Sequence, residues 1–351
     1  MKLLIIQQKM IGDVLTSSMM FEALHQKYPN SQLDYLINSH TFPVVENNPF
    51  INEFIFFTPE VQNNKIAFLR FLKNLKQKKY DVIIDVYGKL SSNLITLFSK
   101  SKFKIGYHKP QSSFIYTHPI KRKTKPDYNA SLAIENRMLL LEPLNVPFKV
   151  YKPSIYLSKT EIEDAKNYLK HQNIDLNKPL FMISVLGSSL AKSYPFEYMA
   201  KLLDAIIKIK PNAQILFNYL PKQKEDVELI FDLCKKSTQN NIFIDVYGKS
   251  LREFLAITFH CNALIGNEGG ANNMAKALNI STFTIFSPHL NKQNWFGNIE
   301  SDDHVAVHIN DYMEHTNKDR IEAKKNPESY YLKLKPELII PKLNSFLVNF
   351  E

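Results

Sequence analysis

Cysteine is nearly missing from this chain. Cys234 and Cys261 are the only two in 351 residues, which leaves no disulfide framework and no thiolate cluster for a metal. Long apolar runs are missing too. The opening Met1-Lys-Leu-Leu-Ile-Ile-Gln-Gln-Lys9 places only four apolar residues before Gln7, too few for the core of a signal peptide, and no later run reaches spanning length. A cytoplasmic protein is the expectation. Glycine is scarce at nine residues. Gln7 to Gly12 supplies one glycine where a dinucleotide fingerprint needs three, and Gly187-Ser-Ser-Leu-Ala-Lys192 lacks the spacing of an NTPase P-loop. No Asp-x-Asp triplet is present to hold a metal-bound sugar diphosphate, and the histidines show no ligand spacing, so no metal is expected. The single tryptophan, Trp295, is placed either to stack a base or simply to pack.

What is present is ordinary in bulk and uneven in charge. Hydrophobic residues make up 44% and charged residues 22%, the balance of a globular protein. At about 150 residues per domain the length predicts two domains, each able to bury a core. An excess of basic residues gives +10, which suits nucleic acid, an anionic membrane face or a phosphorylated substrate. No helix interleaves basic and aromatic residues as a nucleic-acid reader would, so nucleic acid ranks last.

The hydrophobic pattern alternates strand and helix from the start. Strands are predicted at Lys2 to Ile6, Leu33 to Ile37, Phe54 to Phe57, Asp81 to Val86 and Phe103 to Tyr107, with helices at Val14 to Tyr28, Ile66 to Leu75 and Leu90 to Phe98. Such a series builds a parallel sheet covered on both faces. His108 to Pro126 reads as an irregular basic stretch, Asn129 to Leu141 as a helix, and the prolines at 143, 147 and 153 as a linker. A second series follows, from the helix Thr160 to His171 to a strand at Thr282 to Phe286. The segment 287–330 is less regular, and a last helix near Pro336 to Phe350 is expected to break or kink at Pro341. The assignment is therefore residues 1–150, 151–330 and a helical tail, 331–351. Ile-Asp-Val-Tyr-Gly-Lys occurs at both 84–89 and 244–249, each read as closing a strand.

The sharpest local signal is Ala263-Leu-Ile-Gly-Asn-Glu-Gly-Gly-Ala271. A strand end, a turn with Gly266, Gly269 and Gly270, and a helix from Ala271 place backbone amides at a helix start, where they attract anions. Glu268 inside that turn is suited to accept from sugar or ribose hydroxyls, or to pair with a lysine. Asp13, after Gly12 at the end of the first strand, is either a first-turn acid stabilised by the helix dipole or a base for a hydroxyl nucleophile. Ser188, Ser189 and Lys192 could cradle a diphosphate, and Glu225 lies at another carboxyl edge, as a helix acid or a ribose contact.

Taken in order, Ile11-Gly-Asp-Val-Leu15, Glu135-Asn-Arg-Met-Leu-Leu-Leu141, the Gly187–Pro195 segment, and Gly266-Asn-Glu-Gly-Gly270 with Ala275-Lys-Ala-Leu278 and Ile285-Phe-Ser-Pro288 resemble glycosyltransferase family 9, the lipopolysaccharide heptosyltransferases. The resemblance implies an α/β GT-B fold, two Rossmann-like domains whose parallel sheets face a central cleft, with an acceptor-binding N-terminal domain and a nucleotide-sugar-binding C-terminal one. It implies inverting, metal-independent and cofactor-free transfer of a sugar, typically heptose from ADP-heptose, to an anionic lipid A–inner core acceptor. It further implies a monomer in peripheral contact with the inner membrane face. In that frame Asp13 is the general base. Ser188, Ser189, Lys192, Glu225, Glu268, Gly269, Gly270, Ala271 and Asn273 bind the donor, and Gly12, Lys121, Arg122, Lys123 and Arg137 meet the acceptor. Three positions depart from the family pattern: Glu268-Gly269 replaces Asp-Ser, Asn273 replaces a histidine, and Ser287 replaces a glycine. A nucleotide-sugar epimerase, or a non-catalytic nucleotide-sugar-binding protein on the same fold, is the alternative.

Overall fold

The computed structural model describes residues 1–128, 130–296, 301 and 303–350. Asn129, expected to open a helix, and residues 297–300 and 302 of the less regular segment lie outside the described residues. The chain divides into two compact units, Met1–Tyr156 and Leu157–Glu351.

In the first unit the strands are β1 (Lys2–Ile6), β2 (Gln32–Ile37), β3 (Glu53–Phe56), β4 (Val82–Asp85), β5 (Phe103–Tyr107) and β6 (His118–Ile120). They pair in parallel in the order β3-β2-β1-β4-β5-β6. The alternation of β1 explains the layering. Leu4 and Ile6 enter a core with Leu36, Ile55, Leu72, Leu75 and Ile95, under the helices Lys65–Gln77 and Leu90–Phe98. The helix Ile11–Lys27 packs with the helix Leu132–Leu139. Its Phe21 ring lies 4.8 Å from that of Tyr35, a β2 residue of the opposite parity to Leu36.

The second unit repeats the plan with β7 (Leu180–Ser184), β8 (Gln214–Phe217), β9 (Ile242–Phe243), β10 (Ala263–Asn267), β11 (Ser281–Ile285) and β12 (His304–Val307). Its order is β9-β8-β7-β10-β11-β12, again all parallel. Both sheets therefore have the Rossmann order 3-2-1-4-5-6, in which the chain reverses direction across the sheet between the first and fourth strands. Ligands of such sheets bind outside the carboxyl ends of the strands at that switch point. The reversal lies between β1 and β4 in one unit and between β7 and β10 in the other.

Several expectations change. The irregular stretch after Tyr107 contains β6, three residues long, and the stretch after Pro288 contains β12. The first helix begins at Ile11, so Asp13 sits inside its first turn. Gly266 belongs to β10 rather than to the turn. Its φ is +127°, and a Cβ added there would lie 2.5 Å from the Ser184 carbonyl oxygen, so only glycine fits beside β7. The second copy of the hexapeptide does not close a strand, because β9 ends at Phe243 and Asp245 is exposed, whereas Asp85 is buried inside β4. The last helix, Pro336–Leu347, runs through Pro341 without a break. The carbonyl that loses its amide partner there is that of the exposed Glu337, where water can replace it. Ile339, Leu343, Phe346 and Leu347 of this tail are buried in the core of the second unit. Trp295 packs against Phe286, Phe296 and Ala306, which is the packing alternative.

Candidate active site

At the switch point of the first unit the chain leaves β1 through the buried Gln7 and Gln8 and enters the helix Ile11–Lys27. Asp13 is at the third helical position, where a carboxylate is favoured by the dipole. Its side chain is 34% exposed, and its Oδ1 accepts from Arg137 Nη2 at 2.8 Å. Arg137 is buried, and all three guanidinium nitrogens are engaged. Nε donates to Ser17 Oγ at 2.8 Å and Nη1 to the Ala133 carbonyl at 2.8 Å, while Nη2 also reaches the Asp13 carbonyl at 3.3 Å. Ser17 Oγ in turn donates to the Asp13 carbonyl at 2.8 Å. One carboxylate oxygen is thus fixed by a planar, always-charged partner, and the group as a whole still meets solvent. Gly12, partly exposed one residue earlier, accepts from Thr16 through its carbonyl at 2.7 Å.

The neighbours of Arg137 form a bracket. Glu135, fully buried, accepts from the Asp127 and Tyr128 amides at 2.9 and 2.8 Å. Asn136 accepts from the Lys123 amide at 2.8 Å. Three consecutive polar side chains therefore tie the basic loop and the Asp13 turn to one short helix. The expected acceptor contacts are placed unequally by this. Arg137 faces inward, spent on Asp13 and Ser17. Lys123 pairs with Asp127 at 2.8 Å and lies 3.7 Å from Glu135. The Arg122 guanidinium carbon lies over the Tyr107 ring, 3.8 Å from its centroid, and Lys121 is exposed.

Across the switch point, Asp85 ends β4 fully buried. Its carboxylate accepts from the Gly88 amide and the Tyr116 hydroxyl, each at 2.8 Å. Burial raises its pKa against those hydrogen bonds and the charge of Lys109. Lys109 Nζ donates to the Gly88 carbonyl at 2.6 Å, closing a turn in which Gly88 has φ +57°. In the sequence Asp85 stands out only as part of a repeated hexapeptide.

In the second unit Gly187 follows β7, and Ser188 and Ser189 are exposed, with Lys192 half-buried in the turn Leu190–Lys192. The Gly187 amide donates to Ser193 Oγ at 2.9 Å, and Ser193 Oγ donates to the Ser189 carbonyl at 2.9 Å. A Cβ on Gly187 would lie 2.3 Å from the Lys192 carbonyl oxygen, so the glycine is what lets the loop close. Asn267, buried at the end of β10, locks this loop to its own strand. Its Nδ2 donates to the Ser184 and Val185 carbonyls at 3.0 and 2.9 Å, and its Oδ1 accepts from the Tyr194 amide at 2.7 Å. Asn272 Nδ2 then donates to the Asn267 carbonyl at 2.6 Å.

Glu268 and Gly269 follow, and the helix Gly270–Ala277 begins. Burial raises the Glu268 pKa, partly offset by the charge of Lys192, so the two groups share one electrostatic neighbourhood. A Cβ on Gly269 would meet nothing within 4 Å, and one on Gly270 only the end of Met274 at 3.9 Å. The space on the Cβ side of these two glycines is open. Asn273 is half-exposed in the first turn of the helix, next to the buried Ala271. Glu225 is exposed in the first turn of the helix Lys224–Leu233, and Gln223 Nε2, donating to the Gly187 carbonyl at 3.0 Å, ties that helix start to the Gly187 loop. Sequence reasoning missed Gln223, Ser193, Asn267 and Asn272, which hold the loops; their signal was only proximity to the glycine turns. It also missed His289, hydrogen-bonded to Ser287 Oγ at 2.8 Å, its pKa lowered by burial and by Lys192.

The first unit thus presents a braced acid at its carboxyl edge, and the second unit, taken by itself, an open glycine turn with hydroxyls and a lysine. The family model of glycosyltransferase family 9 (heptosyltransferase) matches residues 68–325. The chain belongs to glycosyltransferase family 9. As a family 9 protein it is a glycosyltransferase, similar to heptosyltransferases. A lipopolysaccharide heptosyltransferase 1 from Campylobacter coli is 24% identical over 304 residues, 84% of this chain and 86% of that protein. Among solved structures, a family 9 glycosyl transferase from Veillonella parvula has a TM-score of 0.83 at 17% identity, over 99% of this chain and 97% of that one. The Escherichia coli ADP-heptose lipopolysaccharide heptosyltransferase II has a TM-score of 0.72 at 17% identity, covering 99% of each chain. These likenesses establish the GT-B fold class. The matched family segment contains all the donor-side residues and Arg137, while Gly12 and Asp13 precede it.

Proposed function

We propose that this family 9 enzyme transfers a heptose from ADP-heptose, with inversion and without a metal, to an anionic, lipid-linked lipopolysaccharide core acceptor at the cytoplasmic membrane face. The observation that carries the reading is the Asp13 carboxylate, solvent-accessible yet braced by Arg137 at the carboxyl edge of β1. In this reading Asp13 takes the proton from an acceptor hydroxyl as its oxygen attacks the anomeric carbon of the donor sugar. The new glycosidic C–O bond forms on the face opposite the diphosphate, whose C–O bond breaks and whose oxygen keeps the electron pair. The amides of Gly270 and Ala271, the hydroxyls of Ser188 and Ser189 and the ammonium of Lys192 offset the charge on the departing nucleoside diphosphate. Glu268, Glu225 and Asn273 receive sugar and ribose hydroxyls. Lys121 and Arg122 offer the exposed cations for an anionic acceptor, and Arg137 acts through Asp13 rather than by touching the acceptor.

The names of the relatives support heptose and a lipopolysaccharide acceptor. A thermal-shift screen against nucleotide diphosphate sugars tests the donor, because specific binding stabilises the folded state. ADP-heptose is expected to give the largest shift, and transfer should proceed within about twofold of its rate in excess EDTA. A larger shift with another sugar nucleotide removes heptose from the proposal. Conversion of the donor to its epimer without acceptor makes the protein an epimerase, and loss of transfer in EDTA overturns metal independence.

A further inference from the structure

One ammonium of the second unit has no counterpart. In the helix Gly270–Ala277, the side chains of Ala271, Asn272, Met274, Ala275 and Ala277 are buried. Gly270, Asn273 and Lys276, each three residues apart, are the ones that are not, so a single open stripe runs from the glycine turn to the end of the helix. Helical side chains lean towards the amino-terminal end, which turns Lys276 back along this stripe towards Asn273. Lys276 is only partly exposed, and its Nζ rests 3.8 Å from the centroid of the Phe296 ring. Phe296 is buried and packs at 87° on Phe286, the residue that follows β11. Among the described residues Lys276 has no acid beside it, and burial alone pushes its pKa down to about 7. An aromatic face is a weak substitute for the water that an ammonium gives up. The contact is unfinished until another group meets the ammonium.

We infer that Lys276 reads the transferred sugar, donating to hydroxyls on the side of the ring away from the diphosphate. This rests on the donor reading given above for the second unit. There the diphosphate lies at the Gly270 and Ala271 amides, while Ser188 and Ser189 follow β7 and Glu225 follows β8. Strands β7 and β8 stand on one side of β10, and β11 stands on the other. A nucleoside held on the β7 side sends the sugar, at the opposite end of the diphosphate, towards β11 and the stripe that ends at Lys276. An ammonium offers donors and no acceptor, which fits the lone pairs of hydroxyl oxygens. Glu268, at the head of the same stripe, disfavours an acidic sugar, whose carboxylate it would repel. Lys192 shares the neighbourhood of Glu268 and serves the diphosphate end, so the two lysines divide the donor between them.

Binding to the full chain, compared between sugar nucleotide and bare nucleotide, tests it. Lys276→Met keeps the length of the side chain and removes its charge. By calorimetric titration it should bind ADP-heptose at least about tenfold more weakly than the wild type does, and ADP within about twofold, because only the sugar loses a charged donor. Labelling reads the same contact in the unaltered protein. Reductive methylation of Lys276 near neutral pH, followed by peptide mass spectrometry, should slow at least about fivefold with saturating ADP-heptose and stay unchanged with ADP. Lys276→Met should keep the wild-type melting temperature; if it does not, the labelling decides. If ADP-heptose binds the wild type no better than ADP, heptose falls, and the same labelling with the sugar nucleotide that gives the largest thermal shift decides for Lys276. Wild-type affinity for ADP-heptose in folded Lys276→Met, an equal loss for ADP, labelling that ignores the sugar, or stronger protection by UDP-glucuronate, whose sugar is acidic, would each overturn the inference.

Discussion

Arg137 shows what a single side chain contributes here. The sequence placed it in a basic set meant for an anionic acceptor, but every guanidinium nitrogen is turned to Asp13, Ser17 or Ala133. Arg137→Met should therefore lower kcat by about 10–100-fold while changing the acceptor KM less than threefold, because it removes the brace on the base and no contact to substrate. Steady-state kinetics with the acceptor varied checks this; a large rise in KM at unchanged kcat would return Arg137 to the acceptor. Two glycines can be told apart the same way. Gly187→Ala pushes a Cβ against the Lys192 carbonyl and should cost about 1–3 kcal/mol in urea unfolding. Gly269→Ser meets open space in an extended backbone and should change stability by no more than about 0.5 kcal/mol. At this scale the sequence displayed the carboxylates and glycines but not their partners. Asn267 and Gln223 act across long sequence separations, and nothing in a linear pattern marks which buried amide will bridge two loops.

Elements were more legible than their partners. The strands Lys2–Ile6 and Phe103–Tyr107 and the helix Leu90–Phe98 are read from hydrophobic period alone. The strands His118–Ile120 and His304–Val307 were not, since three or four residues are too few to establish a period. The Pro341 helix survives because tertiary burial of Ile339, Leu343 and Phe346 outweighs one missing hydrogen bond at a solvated turn. Between elements, Arg252 on the helix Leu251–Phe259 grips Glu161 in the first turn of the helix Lys159–His171 at 2.6 Å. The guanidinium holds the Glu161 carboxyl down to about 2, below its usual 4.5. Because the folded pKa is depressed, the stabilisation is complete above about pH 5 and is lost as pH falls from 4.5 towards 2. Arg252→Ala should cost about 1–3 kcal/mol at pH 7 and visibly less at pH 3.5, measured as urea midpoints. An equal cost at both pH values would mean that packing of the arginine, not its charge, is what matters.

At the scale of the whole molecule, one topology is used twice. Each unit reverses its strand order once; Gly12 and Asp13 follow β1 at one reversal, Ser188 to Lys192 and Glu268 to Ala271 follow β7 and β10 at the other, and Lys121 to Lys123 and Glu225 lie beyond other strands. Alternating strand and helix predicted the parallel sheets; the strand order could not be read, because both 3-2-1-4-5-6 and its relatives give the same alternation along the chain. The division of labour is the central claim: the first unit activates the acceptor, and the second holds the donor. The most direct measurement pairs two variants in one titration and one single-turnover assay with ADP-heptose and acceptor. Asp13→Ala should bind the donor as the wild type does and lose about 10²–10⁴-fold in the transfer rate. Lys192→Ala should weaken donor binding by at least about tenfold. Near-normal transfer by Asp13→Ala, or donor affinity that falls equally in both variants, would contradict the account.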